Sequence, residues 1–300
     1  MRTPRKPEPV CNTAIQSVRN GPDDANIVRA ADPPWVARLH TLHRQVRSTV
    51  ATVGRMTAGT RNAKGDDVKE FDLAANDAAL AVIRGFRIPL VVDSEESGRL
   101  EIGSGAPRYR LVLDPVDGSD NWARGLPLSA LSCAVLPVDA ALHPDFVEAA
   151  LVGPLEQDRP LIALKGAGAW HGNNRLETSH VGRIGEAVIS FELNHHSPSP
   201  GLARLMADAR GVRCYGCASR ALSLVAMGAS DAHVDVRRRL TAESYLAAAR
   251  LVIEAGGWVA GIDGAPLAAP ENLTDRVGLI AVSSRELCAE IVKVLGDERH

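Results

Sequence analysis

Two short acidic runs hold the residues best suited to chemistry. Asp114-Pro115-Val116-Asp117-Gly118-Ser119 sets two carboxylates three residues apart, directly after the apolar run Leu111-Val112-Leu113. Ser94-Glu95-Glu96-Ser97 likewise follows an apolar run, Ile88-Pro89-Leu90-Val91-Val92, with Asp93 between them. Carboxylate oxygens are hard donors that suit Mg²⁺, a cation that keeps open positions for water and substrate. Gly118 permits a tight turn, and Ser119 can cap a following helix. Free N–H groups at a helix start favour a phosphate. One loop could thus hold a cation through its carboxylates and a phosphate through its amides. The competing reading is an Asx-turn with two surface aspartates, beside a solvated glutamate pair. That both runs sit at the ends of buried strands favours a shared metal site at a sheet edge.

Those runs need strands to deliver them and helices to cover the strands. Apolar residues recur at helical spacing from Trp35 (Val36, Leu39, Leu42, Val46, Val50, Val53), which predicts a first amphipathic helix. A Gly/Lys/Asp loop is expected around 59–69, then a second helix through Leu73, Ala78, Leu80 and Ile83. Strands are expected at 88–92 and 108–113, the latter stopping at Pro115, which cannot donate to a ladder. Closely spaced strands near 128–137, 146–153 and 160–165 suggest an antiparallel meander. Beyond about residue 185, strands at 187–193, 211–215, 232–236 and 277–282 alternate with helices near 199–209, 218–228, 243–255 and 284–295. Residues 1–32 lack periodicity and read as a mobile tail. The division expected is an α+β half over 33–185, carrying the acidic runs, and an α/β half over 186–300.

Composition excludes several functions. The 300-residue chain carries a net charge of -2 and only 4% aromatic residues. It therefore lacks the basic surface and stacking platforms of a general nucleic-acid binder. No apolar run approaches the roughly 20 residues that span a bilayer. Five scattered cysteines, Cys11, Cys133, Cys214, Cys217 and Cys288, do not form a disulfide framework, which points to a reducing, cytoplasmic setting. Cys214-x-x-Cys217 lacks a second pair, so two small thiols are favoured over a zinc or redox site. His195-His196 reads as an exposed loop.

The acidic runs take their place in a longer ordered set of motifs. After Glu95-Glu96 and Asp114-Pro115-Val116-Asp117-Gly118-Ser119-x-Asn121 come Lys165-Gly166-x-Gly168-Ala169-Trp170 and Asn173. Glu254-Ala255-Gly256-Gly257 and Asp263-Gly264-Ala265-Pro266-Leu267 complete the series. Over roughly 35–296 the chain resembles the inositol monophosphatase family of Mg²⁺-dependent, lithium-sensitive phosphatases. That resemblance implies a layered αβαβα sandwich of the inositol monophosphatase/fructose-1,6-bisphosphatase type, commonly a homodimer. It implies two or three Mg²⁺ per site, and hydrolysis of a small phosphorylated metabolite by a metal-activated water. Carried over residue by residue, Glu95, Asp114 and the Val116 carbonyl hold a first metal, and Asp114 and Asp117 contribute to a second. Gly118 and Ser119 take the phosphate. Asp77 matches an aspartate that orients the attacking water with the Ser119 hydroxyl, although alone it would read as a polar helix-face residue. Gly216-Cys217-Ala218 matches a turn lining the substrate pocket, and Asp235 falls where the family sets an acidic group against substrate hydroxyls.

One position departs from the family. A Trp-Asp pair normally closes the site, the aspartate ten residues before the Glu-Ala-Gly-Gly glutamate; here those positions hold Glu243 and Ser244. Three readings stay open. Glu243 reaches in to replace the carboxylate, or the second metal is weak or absent, or the chain binds without hydrolysing. Between Asp235 and that helix the segment is two residues longer than usual and carries Arg237-Arg238-Arg239. These arginines form either a solvated loop or a pocket for a second anion, and the latter would favour a bisphosphate substrate.

Overall fold

The computed structural model describes residues 35–55, 57–61 and 67–296; the tail expected over 1–32 lies outside them. Five layers alternate helix and sheet. In the first, α1 (Trp35–Val53) and α2 (Glu70–Arg84) pack side by side on one face of an eight-stranded sheet. Leu39, Leu42, Val46, Phe71, Ala75, Ala79 and Ile83 are buried there, because their three- and four-residue spacing puts them on one stripe of each helix. The expected loop at 59–69 is instead a small antiparallel ribbon, β1 (Thr57–Arg61) with β2 (Asp67–Lys69), leading straight into α2.

The large sheet contains β3 (Leu90–Ser94), β4 (Gly98–Ile102), β5 (Tyr109–Asp117), β6 (Ala130–Pro137), β7 (Ala149–Pro154), β8 (Leu161–Leu164), β9 (Gly168–His171) and β10 (Asn174–Arg175). Its order is β10-β9-β8-β7-β6-β5-β3-β4. From β5 to β10 each strand pairs antiparallel with the next, as the expected meander requires, while β3 runs parallel to β5. That parallel pair brings the ends of β3 and β5 to the same sheet edge, so Glu95 and Asp114 meet. The strand does not stop at Pro115. The register slips between Asp114 and Asp117, and this irregularity accommodates a residue that has no N–H to donate.

On the other face lie α5 (Ala218–Ala226) and α6 (Ala242–Glu254), enclosed by a second sheet. This sheet comprises β11 (Val188–Phe191), β12 (Gly211–Arg213), β13 (Ala232–Leu240), β14 (Trp258–Ala260) and β15 (Val277–Val282), ordered β12-β11-β13-β15-β14. Its outer face carries α4 (Pro200–Asp208) and α7 (Arg285–Gly296), and a six-residue α3 (Ser119–Arg124) follows β5. The αβαβα expectation is thus met. One core runs from Val112 and Ala150 of the large sheet through Leu246 and Val252 of α6 to Leu279 of the small sheet. No helix among the described residues is long and apolar enough to cross a membrane.

Candidate active site

Glu95, Asp114 and Asp117 come together where β3 and β5 end. Asp114 is buried, its Oδ1 accepts the Val116 N–H at 3.0 Å, and its carboxyl is hydrogen-bonded with Glu95. Burial, then the charges of Glu95, Asp117 and Glu243, hold its pKa well above the usual carboxylate range. Glu243 therefore faces the same cluster from the first turn of α6. It is 2% exposed, and its backbone carbonyl accepts from Ser132 Oγ at 2.8 Å, which fixes that turn against β6. Ser244, one residue on, lines the cleft itself.

Asp117 is pushed up to about 6, chiefly by burial, although its Oδ2 accepts the Ser219 N–H at 2.6 Å and the Cys217 thiol at 3.2 Å. The start of α5 is thereby clipped onto the end of β5. Gly118 is required beside it: φ is +79°, and a Cβ would stand 2.8 Å from Cys217 Cβ and 2.9 Å from the Leu128 carbonyl. Ser119 does not cap α3, whose N-cap is Gly118 with no side-chain cap. Its hydroxyl accepts from Lys69 Nζ at 2.9 Å, and Lys69 also pairs with Asp120 at 2.5 Å. Lys69, which the sequence did not single out, thus sets a cation on the Gly118-Ser119 turn. Asn121 Nδ2 donates to the Tyr215 and Leu128 carbonyls, tying the Gly216 turn to this loop.

The structure does not bring Asp77 to the cluster. Asp77 is exposed, whereas Asp72, five residues earlier, is buried at 6% exposure. At about 100° per residue the two point some 140° apart around α2. Asp72 stands three residues after the N-cap Lys69 and accepts its backbone N–H, while its Oδ1 makes no hydrogen bond among the described residues. Burial, then Glu96 ahead of Glu95, push its pKa up to about 7 against the opposing pull of Lys69. A signal was present: Phe71, Ala75, Ala79 and Ile83 mark the inner stripe, Asp72 and Asn76 border it, and Asp77 does not.

Asp235 is a second correction. It is fully buried, and Arg237 occupies it: the guanidinium donates to Oδ1 at 3.0 Å and Oδ2 at 2.7 Å, and the backbone N–H to Oδ1 at 2.9 Å. Asp235 does not line the cleft; Arg237, which also approaches Glu192 at 3.8 Å, lines it instead. Gly216 and Ala218 do line it, together with Cys217 and His195, while Cys214 is exposed. Glu254 has a structural part at the far end of α6. It accepts the N–H groups of Gly166 at 2.7 Å and Gly168 at 2.8 Å and pairs with Arg250.

As placed, no three carboxylate, imidazole or thiolate groups among the described residues stand close enough to hold a metal ion. The donor set still fits a hard divalent cation. Asp72 Oδ1 is buried without a partner, and a cation among Glu95, Asp114 and Asp117 would relieve the repulsion that raises their proton affinity.

Residues 34–298 match the family model described as the inositol monophosphatase family. The chain belongs to that family. It is 29% identical over 281 residues to the fructose-1,6-bisphosphatase/inositol-1-monophosphatase of Methanothermobacter thermautotrophicus, covering 87% of this chain and 96% of that one. To the fructose-1,6-bisphosphatase of Pyrococcus furiosus it is 30% identical, over 77% of this chain and 84% of the other. A solved inositol monophosphatase-fructose 1,6 bisphosphatase superposes with a TM-score of 0.73 at 25% identity, covering 87% of this chain and 99% of that chain. The chain is accordingly a phosphatase acting on phosphate monoesters, of a family that is generally metal-dependent.

Proposed function

We propose that this member of the family is a Mg²⁺-dependent hydrolase of small phosphate monoesters such as inositol or sugar phosphates. The observation that supports it most is that Glu95, just past β3, feels the charges of Asp72 at the start of α2 and of Asp114 and Asp117 at the end of β5, with Asp72 Oδ1 buried and unpartnered among the described residues. Glu95, Asp114 and the Val116 carbonyl would hold one cation. Asp114, Asp117 and Glu243, in place of the carboxylate that Ser244 lacks, would hold a second. Bound Mg²⁺ neutralises phosphoryl charge and lowers the pKa of water. Asp72, rather than Asp77, orients the attacking water and takes its proton, with the Ser119 hydroxyl held for the same water by Lys69. The Gly118-Ser119 amides and Lys69 receive the phosphate. Because α3 is only six residues long, its dipole is small, and most of the attraction falls to Lys69 and the cations. Water attacks phosphorus, the ester P–O bond breaks, and the departing alcohol oxygen takes up a proton.

Phosphate release across a panel of inositol, sugar and nucleotide monoesters tests this after chelation and Mg²⁺ add-back. Activity that returns with Mg²⁺ and falls on the order of 10²-fold or more in Asp114→Asn and Asp72→Asn supports it. Release that ignores Mg²⁺, or an Asp72→Asn enzyme as fast as the parent, refutes it. No release from any monoester would favour a binding protein of the same fold, the reading that Ser244 keeps open.

A further inference from the structure

A second cavity, of about 380 Å³, lies at the opposite end of α6 from the cleft, within the size range of small-molecule sites. α6 borders the cleft through Ser244 and this cavity through Ile253, about 14 Å apart along the axis at about 1.5 Å per residue. The hollow follows from how α6 ends. Gly256 turns the chain at a φ of +92°, with nothing within 4 Å of where a Cβ would stand. Gly257 has no room for one, since a Cβ would lie 2.6 Å from the Val282 carbonyl oxygen. Two residues without side chains thus carry α6 into β14, and neither fills the space beside it. β14 is an edge strand of the small sheet, so no further strand closes that side. The facing wall comes from the turn Pro144–Phe146, between β6 and β7.

The walls of this cavity differ in chemistry. Ile253, Val259 and Leu267 make an apolar bed, and Trp258 adds a flat aromatic surface. Arg285 lays its guanidinium over that indole, 3.8 Å from the ring centroid, and makes no ion pair or side-chain hydrogen bond among the described residues. The stack holds the guanidinium at the wall while its N–H donors stay unspent. On the facing wall His143 Nδ1 accepts the Asp145 N–H at 3.2 Å. The neutral ring therefore carries its proton on Nε2, which has no hydrogen-bond partner among the described residues. Phe146, 45% exposed, meets the imidazole edge-on at 6.3 Å and steadies it. Asp145, the one acid of the lining, is held beside His143 Nδ1 at 3.5 Å. An apolar and aromatic bed with two unspent donors, one of them a fixed positive charge, matches a flat apolar body that ends in an anion. We infer that this cavity is a second ligand site, separate from the cleft, for a small aromatic carboxylate. The ring system rests against Ile253, Val259 and Trp258, and the carboxylate meets Arg285, with His143 Nε2 as a further donor. The inference does not depend on which ester the cleft hydrolyses.

Calorimetry on the full chain in EDTA tests this with three probes: 1-naphthoate, its neutral counterpart 1-naphthylmethanol, and cyclohexanecarboxylate. The expected result is one 1-naphthoate per chain, bound about tenfold or more tighter than the alcohol, the effect of one charge-assisted hydrogen bond. It should also bind severalfold tighter than cyclohexanecarboxylate, which has no ring to lay on the indole. Arg285→Gln alters only an exposed residue at the start of α7 and leaves the interior untouched. It should bring the acid and the alcohol to within about threefold, while Arg285→Lys keeps part of the preference. Trp258→Leu should remove the advantage over cyclohexanecarboxylate. Mg²⁺ with inorganic phosphate, directed at the cleft, should leave the naphthoate Kd unchanged. No binding of naphthoate, equal affinity for the alcohol, a preference that Arg285→Gln leaves intact, or displacement by Mg²⁺ and phosphate overturns the inference.

Discussion

Asp72→Asn should make the chelated protein more heat-stable at pH 8 and leave it unchanged near pH 3.5. Burial and the neighbouring Glu96 and Glu95 move the Asp72 carboxyl from 3.8 to about 7 in the folded chain. At about 1.4 kcal/mol per pKa unit, that corresponds to about 4 kcal/mol between protonation states, an order-of-magnitude ceiling. The sign follows from proton counting. Below 3.8 both folded and unfolded chains hold the proton, and the group contributes nothing. Between 3.8 and 7 the folded chain retains a proton the unfolded chain has lost, so stability falls as pH rises; above 7 the full cost is present. Asn keeps the shape, removes the titration and should recover most of that cost at pH 8. With about 0.5 kcal/mol per degree for a domain this size, the gain in Tm is up to about 8 °C. Differential scanning calorimetry in EDTA at pH 3.5, 5.5 and 8 reads it directly. Added Mg²⁺ should raise the parent's Tm at pH 8 more than the variant's. A Tm difference that does not change with pH, or that is largest at pH 3.5, would refute the placement of Asp72 in the cluster.

Three further outcomes follow from the same geometry. Gly118→Ala must accept a positive φ and a contact 2.8 Å from Cys217 Cβ, so it should lose about 2 kcal/mol by chemical denaturation, together with most activity. Glu254→Ala removes the acceptor for Gly166 and Gly168 and strands the buried Arg250. A loss of about 3–5 kcal/mol is expected in urea melts, with no change in the Mg²⁺ concentration for half-maximal rate. Glu243→Gln should raise that Mg²⁺ concentration by roughly 10- to 100-fold, and Ser244→Asp in the same chain should bring it part of the way back. A Mg²⁺ dependence unmoved by Glu243→Gln would show that the second cation is weak or missing.

The layered fold was legible because its cues are local and repeated. The stripe from Trp35 to Val50, the meander from β6 to β8 and the strand-helix alternation after 185 each depend on spacing within a few residues. Asp114, Asp117, Gly118 and Glu95 were legible for a similar reason, since short strands deliver them and their neighbours in sequence are their neighbours in space. The motif match picked exposed Asp77 over Asp72, which the fold buries beside Glu96 and Glu95, because both are aspartates on one helix. Choosing between them needs the facing of the helix, which the apolar stripe carried and a motif match ignored. Asp235 was misread because its partner is only two residues away: Arg237 folds back onto it through a bulge set by pairing with β15, some 40 residues downstream. Lys69 carried no local signal, because its partners Ser119 and Asp120 lie some 50 residues away in the chain.

Asp235 pairs with Leu279 and Leu240 with Val277, so β13 slips its register against β15, and this bears on how such a scaffold acquires new specificities. Glu95, Asp114 and Glu243 are set by strand pairs and by α6, which is packed between both sheets and tethered at each end, so altering them disturbs the interior. Arg238 and Arg239 are exposed and lie outside that packing, between Val236, which packs on the outer core, and the buried Leu240. This stretch can lengthen, shorten or change side chains while the hydrogen-bond ladder resumes in the same place. Loops of this kind behave as exchangeable parts. Grafting the Arg237–Arg239 segment into a relative with a shorter connection should change the cleft wall and leave the hydrolytic machinery as it was.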